Sequence, residues 1–176
     1  MKVVAKYDFN GCQAAIKNKY SKEYDQIVSV IDSIDSALFS PMEITKAFEK
    51  AFLQIGWSNH KVHCDYQYGD YLKDYIPAKG SHVQPLREMD FVKPGIKLGI
   101  EMQFKENRSM IYSGCAKMTI FNKMGVIDTG IEIVPVKRFA DEMSTGVSYF
   151  EQFAWDLHHR GESNIDIPVL ILGVDA

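Results

Sequence analysis

With 176 residues, 46% of them hydrophobic and 12% aromatic, the chain is the size of one domain with a substantial core, and a single domain over residues 1–176 is expected. No run approaches the roughly 20 consecutive apolar residues that span a bilayer, and the opening MKVVAKYDFNG lacks the long apolar stretch of a secretory signal, so a soluble cytoplasmic protein without a membrane partner is expected. The formal net charge of -3 argues against a uniformly basic nucleic-acid binder, but residues 93–138 hold 8 Lys/Arg against 4 Asp/Glu, a local basic excess that is equally compatible with an ordinary solvated face.

The first clear periodic segment runs from Lys22 to about Ile34, where Ile27, Val30, Ile31 and Ile34 recur at helical spacing. A second helix is marked by Ser40 as N-cap, Pro41 at the first helical position and Glu43 completing an S-x-x-E capping box. Ile44, Ala47, Phe48, Ala51, Phe52 and Ile55 follow, and Gly56 stops it. From His60 to Tyr68 the pattern alternates as in a strand, with Val62, Cys64, Tyr66 and Tyr68 on one face. Gly69 to Gln84 reads as a polar excursion. Strands are expected at Arg87 to Val92 and Ile96 to Phe104, joined through Pro94 and Gly95. A helix is expected from about Asn107 to Asn122, a strand from Val126 to Val136, a loop through Met143 to Gly146, a helix from Ser148 to His159, and a last strand from Pro168 to Val174. Interleaved helices and strands predict an α/β sandwich with a mixed central sheet flanked by helices.

In IKLGIEMQF, Ile96, Leu98, Ile100, Met102 and Phe104 share one face, which leaves Glu101 and Gln103 together on the other. Pairing 87–92 with 96–104 as a hairpin brings Asp90 beside Glu101. Two carboxylates at one sheet edge form a hard-oxygen site suited to Mg²⁺, an ion that keeps several waters and completes its shell with substrate phosphate. Taken alone, D-x10-E-x-Q is also what a strand with an exposed polar face produces.

The surrounding segments are more specific. DFVKPGIKLGIEMQF, IDTGIEIVPVKRFADEMSTGVSYFEQ and DIPVLILGV, together with SPMEITKAFEKAFLQIGW, resemble the restriction endonuclease family typified by BglII and BstYI, the BstYI type most closely. The matches cover roughly half the chain, in the family's order. The resemblance implies the PD-(D/E)XK restriction-endonuclease-like fold, with the last lysine of the motif replaced by Gln103. It makes Asp90 and Glu101 the metal-binding carboxylates, with the backbone carbonyl of Met102 a further ligand, and makes Asp90, Glu101 and Gln103 the catalytic set. A neutral amide can only donate and accept hydrogen bonds, so Gln103 is expected to orient the water and to leave its deprotonation to the metal.

The same resemblance implies a type II restriction endonuclease. It would hydrolyse double-stranded DNA with Mg²⁺ at a short palindrome, GATC-centred and RGATCY-like, leaving 5′-phosphate ends, and work as a homodimer beside a cognate DNA methyltransferase. Its base-reading residues fall on Lys105, Asn107 and Arg108 in one loop and on Ser144 and Thr145 in another, with side chains suited to base edges in the major groove. Asn107 also reads as a helix cap, and Ser144 and Thr145 as turn formers. Glu106 departs from the BstYI pattern, which has lysine there. A carboxylate prefers cytosine N4 and repels phosphate, which leaves the outer bases of the site, and its core, open. Met110, Ile111, Met118 and Ile120 suit a dimer interface and a core equally well.

Other groups carry less. Cys12, Cys64 and Cys115 are scattered and odd in number, which excludes a disulfide framework and a CxxC clip. His60 and Cys64 face away from His63 on the expected strand, against a shared ion, and His158 and His159 fit the C-terminal turn of a helix. Glu43 and Glu49 could each lend a carboxylate, but a capping box and a solvated face explain them more simply. Neither a nucleophile elbow nor a phosphate-binding glycine loop occurs. The alternatives are a non-cleaving, sequence-specific DNA-binding relative and a structure-specific repair nuclease on the same fold. Two carboxylates facing phosphate weigh against the pure binder.

Overall fold

The computed structural model describes residues 1–63, 86–104, 110–143, 146–160 and 167–176, with the side chains of residues 110–113, 115 and 160 excepted. In chain order the described elements are β1 (Lys2–Phe9), α1 (Cys12–Lys19), α2 (Ser21–Ser33), α3 (Pro41–Gln54), β2 (Ser58–His63), β3 (Leu86–Val92), β4 (Leu98–Met102), α4 (Met110–Lys123), β5 (Thr129–Pro135), α5 (Lys137–Met143), α6 (Phe150–Arg160) and β6 (Val169–Asp175). The strands form one sheet in the order β1-β6-β5-β4-β3-β2. β4, β5 and β6 run parallel, and β1, β3 and β2 pair antiparallel at the edges.

This mixed topology follows from the composition of the strands. Every residue of β5 and β6 is buried, as expected of parallel strands covered on both faces. α1, α2, α3 and α5 cover one face, burying Ile16, Ile27, Ile31, Ile44, Phe48, Phe52 and Phe139 against Leu98, Ile100, Met102 and Phe104. On the other face α4 and α6 bury Met118, Phe121, Phe153 and Leu157 against Met89, Val134, Val169 and Ile171. The alternation expected along IKLGIEMQF is therefore the one found. No helix among the described residues is long and apolar enough to cross a membrane.

Three differences from the sequence reading have physical causes. The sequence pattern marks neither β1 nor α1. β1 is an edge strand with no fully buried residue, and α1 is a two-turn helix burying only Cys12 and Ile16. No element is expected over 137–142, where α5 stands, because seven residues around the single buried pair Phe139 and Ala140 are too short to show a period. Ser40 is the N-cap of α3, with Pro41 following, but its side chain makes no capping hydrogen bond, so the expected capping box is not closed. The excursion from Gly69 to Gln84, and Cys64, Tyr66 and Tyr68 of the expected strand, lie outside the described residues.

Candidate active site

The site begins with an irregularity in β3. Ser58 pairs with Val92 and His60 with Met89, so Asp90 and Phe91 together oppose the single residue Asn59. This is a β-bulge, a device that re-aims side chains. It breaks the alternation of faces. Met89 packs on the α4 side of the sheet, and Phe91, two residues on, packs on the α3 side. Asn59 secures the bulge by donating from Nδ2 to the Met89 carbonyl at 3.0 Å and to Glu88 Oε1 at 2.6 Å.

On its other side β3 pairs with β4 only through Phe91↔Ile100 and Val92↔Gly99. One step beyond, side chains replace the ladder. The Met102 amide donates to Asp90 Oδ2 at 2.8 Å, and the Asp90 amide donates to Glu101 Oε1 at 3.3 Å. The Gln103 amide donates to Ile133 in β5, so the alternation of peptide directions turns the Met102 N–H and C=O toward β3. The Met102 carbonyl thus lies on the side of the two carboxylates.

The second half of the cluster comes from α4 and β5. Glu132, in register with Glu101 across β4 and β5, is fully buried. Its Oε2 accepts from Gln103 Nε2 at 3.3 Å, and its Oε1 has no partner among the described residues. Gly114 of α4 lies directly over this pair. A Cβ there would sit 2.5 Å from Glu132 Oε1 and 2.9 Å from Gln103 Nε2, so the absence of a side chain lets the helix approach. One turn on, Lys117 donates from Nζ to Glu101 Oε2 at 2.5 Å and to the Glu88 carbonyl at 3.2 Å.

The electrostatics follow from this crowding. Burial, and next the charge of Asp90, push Glu101 up to about 8 although Lys117 opposes them. Burial, and next Glu101, hold Glu132 well above the usual carboxylate range. Burial works against the charge on Lys117, yet Glu101, Asp90 and Glu132 together keep it above its ordinary value. Three carboxylates thus share one ammonium.

Asp90, Glu101, Met102 and Lys117 line a cavity of about 390 Å³ together with Thr45, Glu49, Leu53, Asn59, Glu88 and Phe91. Helical spacing explains the α3 contribution. Ile44, Phe48 and Phe52 form its fully buried stripe, and the adjoining stripe Thr45, Glu49 and Leu53 faces the cavity. Of the two glutamates noted on this helix, Glu49 lines the cavity. Gln103 is 3% exposed and is turned to Glu132.

The structure therefore brings Asp90, Glu101, Met102 and Gln103 into one neighbourhood. Lys105, Asn107, Arg108, Ser144 and Thr145 lie outside the described residues, as does Glu106. Met118 is part of the core, whereas Ile120 is exposed. His60 packs edge-on against Phe121. Sequence reasoning missed Lys117 and Glu132. Glu132 carried a usable signal, a carboxylate inside the otherwise apolar strand TGIEIVP, since acidic side chains are almost never buried unless paired.

A mixed six-stranded sheet with helices on both faces is the restriction-endonuclease fold. The family model for restriction endonuclease BglII/BglIII matches residues 4–174, and the chain belongs to that family. It is accordingly a type II site-specific deoxyribonuclease, with DNA as its substrate. The crystal structure of free BglII is similar, with a TM-score of 0.67 at 16% identity over 98% of this chain and 79% of that one, a likeness that shows the shared fold. No curated protein matches the chain in sequence.

Proposed function

We propose that the protein hydrolyses DNA phosphodiester bonds with Mg²⁺ at the cavity beside β3 and β4. Asp90, Glu101 and the Met102 carbonyl would hold the ion. The reading rests on one observation: the Asp90 and Glu101 side chains are tied across the point where the two strands part, each through a backbone amide of the other strand. Their donor set fits a hard cation. Among the described residues no group of three or more His, Cys, Asp or Glu is arranged for a metal, and two carboxylates with one carbonyl suit an ion that completes its shell with water and phosphate. Glu101, disfavoured as an anion by burial and by Asp90, gains most from a dication.

When bound, Mg²⁺ would supply base strength to the attacking water and neutralise charge developing on the phosphate. Gln103 orients that water, its amide held by Glu132. Thr45 and Glu49 of α3 line the same cavity. Lys105, Asn107, Arg108, Ser144 and Thr145 read a palindrome centred on GATC, RGATCY-like, in a homodimer that leaves 5′-phosphate ends. A cognate methyltransferase protects the host, and both work in the cytoplasm.

Incubating phage DNA with purified protein and Mg²⁺ should give discrete fragments, and EDTA should abolish them. Sequencing the fragment ends gives site and cut position. A smear or a preference for branched substrates would instead favour a repair nuclease, and a retained gel shift without cleavage a binding protein.

A further inference from the structure

Resting on the nuclease reading above, we propose that Lys117 is the resident cation of this site: in the metal-free protein its ammonium stands at Glu101 in place of the divalent ion, and it passes to the scissile phosphate when the ion binds. Among the described residues Lys117 is the only cationic side chain lining the cavity. Its strand neighbours provide none, because Gln103 is neutral and turned to Glu132. The positive charge therefore reaches the carboxylates from a helix.

The geometry fits an exchange. Lys117 Nζ holds one Glu101 oxygen at 2.5 Å, and its side chain is 18% exposed where that of Glu101 is 2% exposed. Both residues line the cavity, and Lys117 is the more accessible side chain of the pair. Its other described partner is the Glu88 carbonyl at 3.2 Å, on the same strand as Asp90, so a lysine released from Glu101 stays at the cavity wall. Four methylenes give it the reach to follow an incoming phosphate, and an ammonium is a compact point charge with three rotatable donors. A dication at Glu101 and a lysine at contact distance repel each other. Ion binding should therefore displace the lysine, and lysine should weaken ion binding.

The test titrates metal alone and measures cleavage separately. Without DNA, Lys117→Met should take up Mn²⁺ roughly tenfold more tightly than wild type, the size of effect one contacting charge has on a titrating neighbour. Its cleavage in Mg²⁺ should fall on the order of 100-fold, as for loss of one donor to transition-state charge. Lys117→Arg, which keeps the charge, should restore wild-type Mn²⁺ affinity. Unchanged or weaker Mn²⁺ uptake by Lys117→Met, or cleavage at the wild-type rate, would overturn the proposal. A purely structural ion pair would lower stability without tightening metal binding. Should the variant not fold, wild-type protein carrying ¹³Cε-labelled lysine serves: the assigned Lys117 signal should move as Mg²⁺ is added, and a stationary signal overturns the exchange. A wild type that binds Mn²⁺, moves the Lys117 signal and cuts no DNA would instead sink the nuclease reading.

Discussion

The Asp90 carboxylate and the Met102 amide are joined at 2.8 Å, so the side chain of one strand takes the place of a ladder hydrogen bond to the next. Asp90 is therefore structural acceptor and proposed metal ligand at once, and the two roles can be separated. Asp90→Asn keeps an acceptor for Met102 and removes the charge that burdens Glu101. Its stability, from urea unfolding, should stay within about 1 kcal/mol of wild type, while cleavage falls on the order of 10³-fold or more. Asp90→Ala should lose the same activity and, with a partly buried amide left unpaired, a further 1–3 kcal/mol, roughly.

Gly114→Ala tests whether the Gln103 and Glu132 pair matters to the site. The new methyl would fall 2.5 Å from Glu132 Oε1 and 2.9 Å from Gln103 Nε2. Both groups are buried, so they have little room to yield. Overpacking costs about 1–3 kcal/mol, and a better helix former offsets about 1 kcal/mol. A net loss below about 2 kcal/mol is expected in a thermal melt, with cleavage down by about tenfold or more as the amide is displaced.

The wall of the site depends on an aromatic group. Phe52 is fully buried, its ring 4.5 Å from that of Phe91, 6.0 Å from that of Phe48 and 6.4 Å from that of Trp57. It links α3 to the bulge that presents Asp90. Phe52→Ala should destabilise the protein by about 3–5 kcal/mol in denaturant titration, and Phe52→Leu by markedly less.

Glu101 and Glu132 set a pH dependence for the metal-free protein. Both have folded-state pKa values raised by burial first, so the native state binds more protons than the unfolded chain. Stability should then fall as pH rises from the unfolded carboxylate value of 4.5 through about 8 for Glu101. Thermal melts in EDTA should show this decline, and Glu132→Gln should flatten it. Added Ca²⁺ should restore stability increasingly toward high pH, because protons compete with the ion. A melting temperature that climbs between pH 5 and 8 in EDTA would contradict the assignment.

Much of this protein is written in local pattern. Period 3.6 marks α2 and α3, and period 2 along IKLGIEMQF places Leu98, Ile100 and Met102 inward with Glu101 and Gln103 opposite, because side-chain direction in regular elements depends only on position. The flanking segments also resemble the right family. Sequence could not place α5, too short to show a period, nor closure of the capping box at Ser40. It could not show that Asp90 sits in a bulge, since the extra residue exists only relative to Asn59 on another strand. It could not bring Lys117 to Glu101 either. That pair depends on α4 coming down on the sheet, which the missing side chain of Gly114 permits, and such close approach between distant segments is a property of packing rather than of any local run of residues.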